Sequence, residues 1–474
     1  MPTVKLPIHE GIVKAVDEVG LVTHGAAMMD VFVDDLQNIN RRPGLVELCD
    51  LGTSASVDGL FWWEAQNWVI AISGGNTYKI TDSAGTVSQI THDDTDWAEG
   101  TRATFADFKT AIYAANGGKI KEIPNSGNVS DMADADAPTT VSHVAFLDRY
   151  LLGNELSSAL FHWSDVNDPT AWSGNYAEAE AKMDELLALL VEDLKICLLG
   201  EKTLEIWYDD GSTPFIREAQ GYVSRGTSAK YSFVWCDTLN TFAWLDQNRQ
   251  VVALSGVSPI PLSQTMSKYI EGFTSVTDCL GDSIIVGGRP YLIFSFPSEG
   301  KTLVYDWTSK QWYEWGYWNS GTATYGQFRG GCFCFSPYWN MTLAGDRANG
   351  KVYKFSSTTY TDDGNTMRSM IRTAHYNHDT EERLKFSNKL TFRVKRTNVV
   401  SEDSTPDLMV KYRDNGETSW NNEHTVTLQQ VGDTEYRGTI SRLGSYYSRQ
   451  YELSLSDAYA LCIVSMEENF DYED

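Results

Sequence analysis

Three things are scarce in this sequence, and each scarcity closes off a class of function. Cysteine is one: there are seven in 474 residues (Cys49, Cys197, Cys236, Cys279, Cys332, Cys334 and Cys462), scattered and without a C-x-x-C pair. An odd, unpatterned set excludes a disulfide framework and a zinc ribbon, and reads as buried reduced thiols from a cytosolic folding compartment. Positive charge is another: 38 Lys and Arg stand against 64 Asp and Glu, a formal net charge of −26 spread along the chain. Such a surface repels phosphate, which argues against specific binding to a nucleic-acid backbone and suits a wall that DNA must pass without sticking. Long apolar runs are the third. The richest, Leu186 to Leu199, is broken by Glu192, Asp193 and Lys195, and the opening MPTVKLPIHEG holds no apolar core of signal-peptide length. The expectation is a chain with no membrane-spanning segment and no secretory signal.

Catalytic signatures are missing too. There is no G-x-S-x-G, no Walker loop and no G-x-G-x-x-G between a strand and a helix. HYNHD places His375 and His378 three apart with Asp379 beside them, a zinc-ligand spacing on a helix, but here it lies in a polar connector without helical support. The acidic stretches DMADADAP from Asp131, DDG from Asp209 and DDGN from Asp362 fail the calcium-loop pattern and read as solvated turns. Asp165, Asp168, Asp209 and Asp210 are the carboxylates that a glycoside-cleaving site would draw on. The middle of the chain lacks the arginine cluster that would hold an acidic sugar in a sialidase-like site. No enzyme activity, cofactor or metal is expected.

What is present is a repeat. Aromatic residues reach 12% and hydrophobic ones 42%, ample for burial. GNTYKI from Gly75, GKIKEI from Gly118, GEKTLEIWYDDG from Gly200, GKTLVYDW from Gly300 and GKVYKF from Gly350 each show a turn glycine followed by alternating apolar residues. SSALFHWSD from Ser157 and NRQVVALSG from Asn248 fill the two double-length gaps, which makes seven units at a spacing of 40 to 50 residues. Most follow a second apolar segment, so a unit reads as strand, strand, turn, strand. That period predicts an all-β fold, a β-propeller of about seven blades.

The aromatic stretch KTLVYDWTSKQWYEWGYW, Lys301 to Trp318, then reads as packing between blades, with Trp315 and Trp318 the members best suited to a ligand. One segment, Tyr176 to Lys195, has strong helix propensity, yet its Ala/Glu alternation suits a strand, and both readings stand at this point. Residues 1–50 carry no repeat and form an N-terminal arm; residues 51–372 form the propeller. Residues 373–474, with alternating strands and a DNG hairpin turn, form a C-terminal β-sandwich-like module.

The run from Arg149 to Gly211 resembles the packaged-DNA stabilisation proteins of short-tailed bacteriophages, also called tail hub or nozzle proteins. Its landmarks are SDVNDPTAW with Trp172, AEAEAKMDEL, and GEKTLEIWYDDG with Trp207; VYDWTSKQWYEW adds Asp306 and Trp312, and RRPGL and GTISRLGSYYSRQYELSLSD add further likeness near the two ends. The resemblance implies a virion tail protein assembled in the host cytoplasm. It would form a homo-oligomeric ring, commonly a hexamer, below the portal and its adaptor ring. That ring would prolong the DNA channel, retain and conduct double-stranded DNA, and dock tail fibres or spikes. Six copies would carry about −156, six times −26. Arg41, Arg42, Arg393, Lys395 and Arg396 are then candidate contacts for acidic partners, solvated surface charge being the plainer reading of each. The competing readings are a carbohydrate-binding or carbohydrate-cleaving propeller of an adhesin, with Trp312, Trp315 and Trp318 stacking on sugars, and a monomeric peptide-binding scaffold.

Overall fold

The computed structural model describes residues 3–9, 11–12, 27–108, 110–179, 182, 184–211, 214–236, 239–378, 380, 382–395, 406–428 and 435–473. Seven four-stranded antiparallel meanders follow one another along the chain. Six of them span 57–90, 104–131, 144–178, 186–223, 234–261 and 280–314. The seventh takes three strands from 330–356 and its fourth, Gly44–Asp50, from near the N-terminus. We number them blades one to seven.

The first strand of each blade is its innermost. Thr104–Phe108 lies against Val57–Trp63, and the contact passes in turn through Val144–Leu147, Leu186–Glu192, Val234–Cys236, Leu280–Val286 and Gly330–Ser336, which returns to Val57–Trp63. The ring is therefore closed, and the early strand Gly44–Asp50, completing the last blade, locks it. A blade buries both faces against its neighbours, so its second strand reads as an unbroken apolar run: WVIAIS in blade one, AIYAA in blade two, PYLIFSF in blade six. Seven apolar clusters result, one at each interface between blades, and the one between blades five and six continues into the body built by the two ends of the chain. Each fully buried Leu, Ile or Phe in them stabilises the fold by about 1.5–3 kcal/mol.

All seven repeat units begin at the turn between the second and third strands. Gly75 and Gly300 take φ of 76° and 63° there, and in the two units without glycine Ser157 and Arg249 are held in the same left-handed region, both at 59°. The segment 176–195 contains no helix among its described residues. Tyr176–Glu178 is the outer strand of blade three, exposed except for Ala177, which packs on the interface with blade four, and Leu186–Glu192 is the innermost strand of blade four, where burial between blades overrides local propensity.

The two ends of the chain build one further body. Thr3–Leu6, Val31–Val33 and Ile39–Arg41 join Lys385–Lys395, Glu435–Tyr446 and Cys462–Tyr472 in one sheet. Opposite it, Ser369–Arg372, Arg449–Leu455, Asp407–Asp414 and His424–Thr427 form a second sheet. Leu390, Phe392 and Met466 from the first pack with Val410, Leu453 and Leu455 from the second, the interior of a sandwich. Ala27–Met29 pairs with Ser369–Arg372 on one side and with Gln311–Glu314 of blade six on the other, so sandwich and propeller share a continuous sheet. The outer edge of blade six is thereby covered.

Candidate functional site

Side chains bridge the axis of the ring. Arg102, on the connection from blade one to blade two, forms a two-pronged ion pair with Asp282 of blade six, Nη1 to Oδ2 at 3.2 Å, and donates to the carbonyl of Gly331 in blade seven at 3.0 Å. His143, before blade three, lies against Tyr231, before blade five, with ring centroids 5.3 Å apart. Burial, then the charges of Lys230 and Arg102, pushes His143 down to about 3, so the imidazole is neutral.

These bridges floor a cavity of about 540 Å³ on the face that carries the turns between second and third strands. Its lining includes Asp58, Arg102, Lys230, Tyr231, Asp278 and Arg347. Asp58 is occupied by the Ser56 hydroxyl and the Gly100 amide, and burial raises its pKa. None of these six residues was marked by the sequence reading.

The opposite face has another character. Leu194, Val257 and Tyr338 sit at its turns and are 60%, 45% and 73% exposed; Phe146, Ile285 and Phe335 from innermost strands add to it. An exposed apolar group of this kind on one side of a ring is a feature of contact surfaces.

Arg41 and Arg42 correct the sequence reading, since neither is at the surface. Arg42 is 1% exposed and held by Asp30 and Asp362, while Arg41 is 3% exposed and donates to Ser369 and to backbone carbonyls of Met367, Asp457 and Tyr459. Asp362 is likewise buried and is no solvated turn. Arg393 is half-buried and pairs with Glu435 at 2.9 Å; Lys395 is exposed; Arg396 lies outside the described residues.

Trp172 is buried between blades two and three, its indole donating to Pro169 O at 3.1 Å, and Trp207 packs edge-on against Phe161 across the next interface. Asp306 caps its own turn through the Thr308 amide at 2.8 Å and binds Arg289 at 2.7 Å. Trp312 is 1% exposed and donates to Leu262 O at 3.0 Å. Trp315 is 2% exposed, against Tyr291 and Phe328, and Trp318 meets Tyr325 edge-on with the Arg368 guanidinium 4.8 Å over its ring. Sugar stacking on these three side chains has no free ring face at Trp312 or Trp315.

The carboxylates weighed for glycoside cleavage belong to turns between third and fourth strands, away from the cavity. Asp165 accepts from Ser173, Asp168 from Thr170, and Asp209 from the Gly211 amide. His378 contacts Tyr446 and Glu468, His375 lies in the same connector, and Asp379 is outside the described residues. Among the described residues no group of three or more His, Cys, Asp or Glu side chains could hold a metal ion, and no helix is long and apolar enough to cross a membrane.

No curated protein sequence matches the chain. Among solved structures, the extracellular domain of a proposed one-component system, BT4673 from B. thetaiotaomicron, aligns over 87% of this chain and 62% of its own, with 11% identity and a TM-score of 0.46. The chain thus spans less than two thirds of that protein's length. The family model described as Bacteriophage P22 Gp10, beta-propeller, matches residues 36–360, which takes in the ring-closing strand and all seven blades. On that match and this architecture, the chain belongs to the phage-stabilisation family of P22 Gp10 and is a phage structural tail protein.

Proposed function

We propose that the chain is one subunit of a ring-shaped tail nozzle, a hexamer in the plainest case, that extends the portal channel, retains the packaged genome and conducts it at ejection. The observation that carries this reading is the obstructed axis of the propeller, crossed by Arg102–Asp282 and backed by His143–Tyr231. A duplex whose major groove alone is about 12 Å wide cannot thread it. Any conduit for DNA has to lie between several copies, with the propeller as a wall segment. The net charge of −26 suits such a wall, because acidic side chains facing the lumen keep phosphate from adhering. The apolar face around Leu194 and Tyr338 supplies a contact for a neighbouring virion component such as a fibre, spike or adaptor. The role is structural, without catalysis or cofactor.

Light scattering and electron microscopy of the purified chain, alone and with a portal complex, test the reading. A closed ring of copies around an acid-lined lumen is expected. A compact monomer in both conditions, or a lumen dominated by lysine and arginine, overturns it.

A further inference from the structure

The acids are spread along the whole chain, yet one sheet face is basic. On the solvent side of the first sandwich sheet, Lys389, Arg393 and Lys395 stand opposite Ser441, Arg437 and Glu435 of the neighbouring strand. On the other flank come Glu467, Asn469 and Asp471, with Lys5 paired beyond Glu467. With Arg442 exposed beside Ser441, six cations share the face with three carboxylates, Glu435, Glu467 and Asp471. Folding does not account for them. Arg393 and Arg437 are directly opposite in register, a like-charge pairing that costs stability in a sheet. Of the six, Arg393 alone has a carboxylate within ion-pair distance among the described residues, Glu435 at 2.9 Å. A counterpart lies across the ring. The sandwich joins the propeller at blades five and six. From that joint the interface of blades one and two is three blades away in one direction and four in the other, so directly opposite. Asp93, Asp94, Asp96, Glu99 and Asp136 are exposed there. Asp93 Oδ1 accepts from Asn128 Nδ2 at 2.6 Å and Asp94 Oδ2 from the Asp131 amide at 3.0 Å, which fixes both carboxylates in place. The cation beside them, Lys121, is buried and taken by Asp131.

We infer that the basic sheet face of one copy docks on the acidic rim of blades one and two of the next copy, an inference that rests on the nozzle reading and names the contact within its ring. Opposite charge supplies both the attraction and the register. The two surfaces differ and lie at opposite ends of the subunit, so the contact is heterologous, the kind that closes rings and not two-fold pairs. Lys385–Lys395 is eleven residues long, which makes the four-strand face about 37 Å by about 19 Å, or about 700 Å², close to the share of one partner in a specific interface. Phe386, 42% exposed at one end of the face, adds an apolar anchor. Duplex DNA fits the face less well, because Glu435, Glu467 and Asp471 stand among the cations and repel phosphate.

Light scattering and native mass spectrometry of the full chain, alone and with a portal complex, test the contact, with a short fluorescent DNA duplex as a second probe. Two double variants reverse one surface each: Lys389→Glu with Arg437→Glu, and Asp93→Lys with Asp96→Lys. All four positions are exposed, so melting temperatures should match that of the native chain. Each variant alone should self-associate about tenfold or more weakly, and mixing the two should restore assembly, since each then meets its complement on both sides. Salt raised from about 0.1 M to about 1 M, which shortens the screening length from about 10 Å to about 3 Å, should weaken the native contact as well. Zero-length carbodiimide cross-links should join Lys389 or Lys395 to rim aspartates of an isotopically distinct copy. A ring indifferent to both reversals, or variants that do not reassociate on mixing, overturns this contact and leaves the nozzle reading standing. A chain that stays monomeric, alone and with the portal complex, overturns both. Loss of duplex binding without loss of self-association, on reversal of the basic face, assigns that face to nucleic acid and overturns the proposal.

Discussion

Arg42 grips Asp362 with both terminal nitrogens, Nη1 to Oδ1 at 2.9 Å and Nη2 to Oδ2 at 2.6 Å, 320 positions apart in sequence and with both side chains 1% exposed. Its Nε reaches Asp30 at 2.6 Å, and Asp30 also accepts from the Gly316 amide. One guanidinium thus ties the N-terminal strands to the segment after blade seven and to the hairpin after blade six.

Removing that guanidinium strands two buried carboxylates. Arg42→Met is expected to destabilise the protein by about 3–5 kcal/mol, measured by denaturant unfolding. Asp30→Asn should cost far less, because it keeps the acceptor for Arg42. Burial raises the Asp30 pKa to about 6 against the pull of Arg42, so the stability linked to its proton is full below the unfolded value of 3.8 and is lost as pH rises through about 6. Asp30→Asn should abolish that loss.

His143 has the opposite sign. Its folded pKa is lowered from 6.5 to about 3, so its contribution is full above 6.5 and declines as pH falls through the interval, by at most about 1.4 kcal/mol per pH unit. The difference in unfolding free energy between the native chain and His143→Phe, followed from pH 7 to 4, should narrow by that slope. A constant difference would show that the imidazole takes up its proton as readily in the folded chain as in the unfolded one.

Ring closure can be loosened at one atom. A Cβ on Gly44 would lie 2.4 Å from Thr361 O and 2.6 Å from Thr359 O, both backbone. Gly44→Ala is expected to cost about 1–3 kcal/mol and to speed hydrogen exchange in Lys351–Ser356, its pairing partner. Unchanged exchange there would separate the strand from the lock.

The apolar face is tested by a double variant, Leu194→Ser with Tyr338→Ser. Both side chains are exposed, so the melting temperature should stay within the effect of about 0.5 kcal/mol while assembly with other tail components weakens. Lys395→Glu, an exposed basic site, tests docking of an acidic partner in the same pull-down.

The architecture was legible because the propeller repeats its own grammar: the turn at Gly75 and its six counterparts fall at one structural point in every blade. Even Ser157 and Arg249, which broke the glycine pattern, kept the backbone that glycine serves. Arg42 was misread because a lone basic dipeptide in a turn-rich stretch gives no sign that two aspartates, one more than 300 residues away, will enclose it. The cavity residues were missed for a related reason. Arg102, Tyr231 and Arg347 meet only through closure of the circle, and no local period records a contact across an axis. Tyr176 to Lys195 left helix and strand open because its propensity and its Ala/Glu alternation point different ways, and burial of Leu186–Glu192 between blades decides for strand.

The strand Gly44–Asp50 emerges from the ribosome some three hundred residues before the hairpin it completes. Until Lys351–Ser356 has been made, six blades stand as an open arc with raw ends, and the sandwich still lacks most of its strands. Closure of the circle thus waits on nearly the whole polypeptide, because the pairing partner of this early strand is among the last of the propeller to be synthesised.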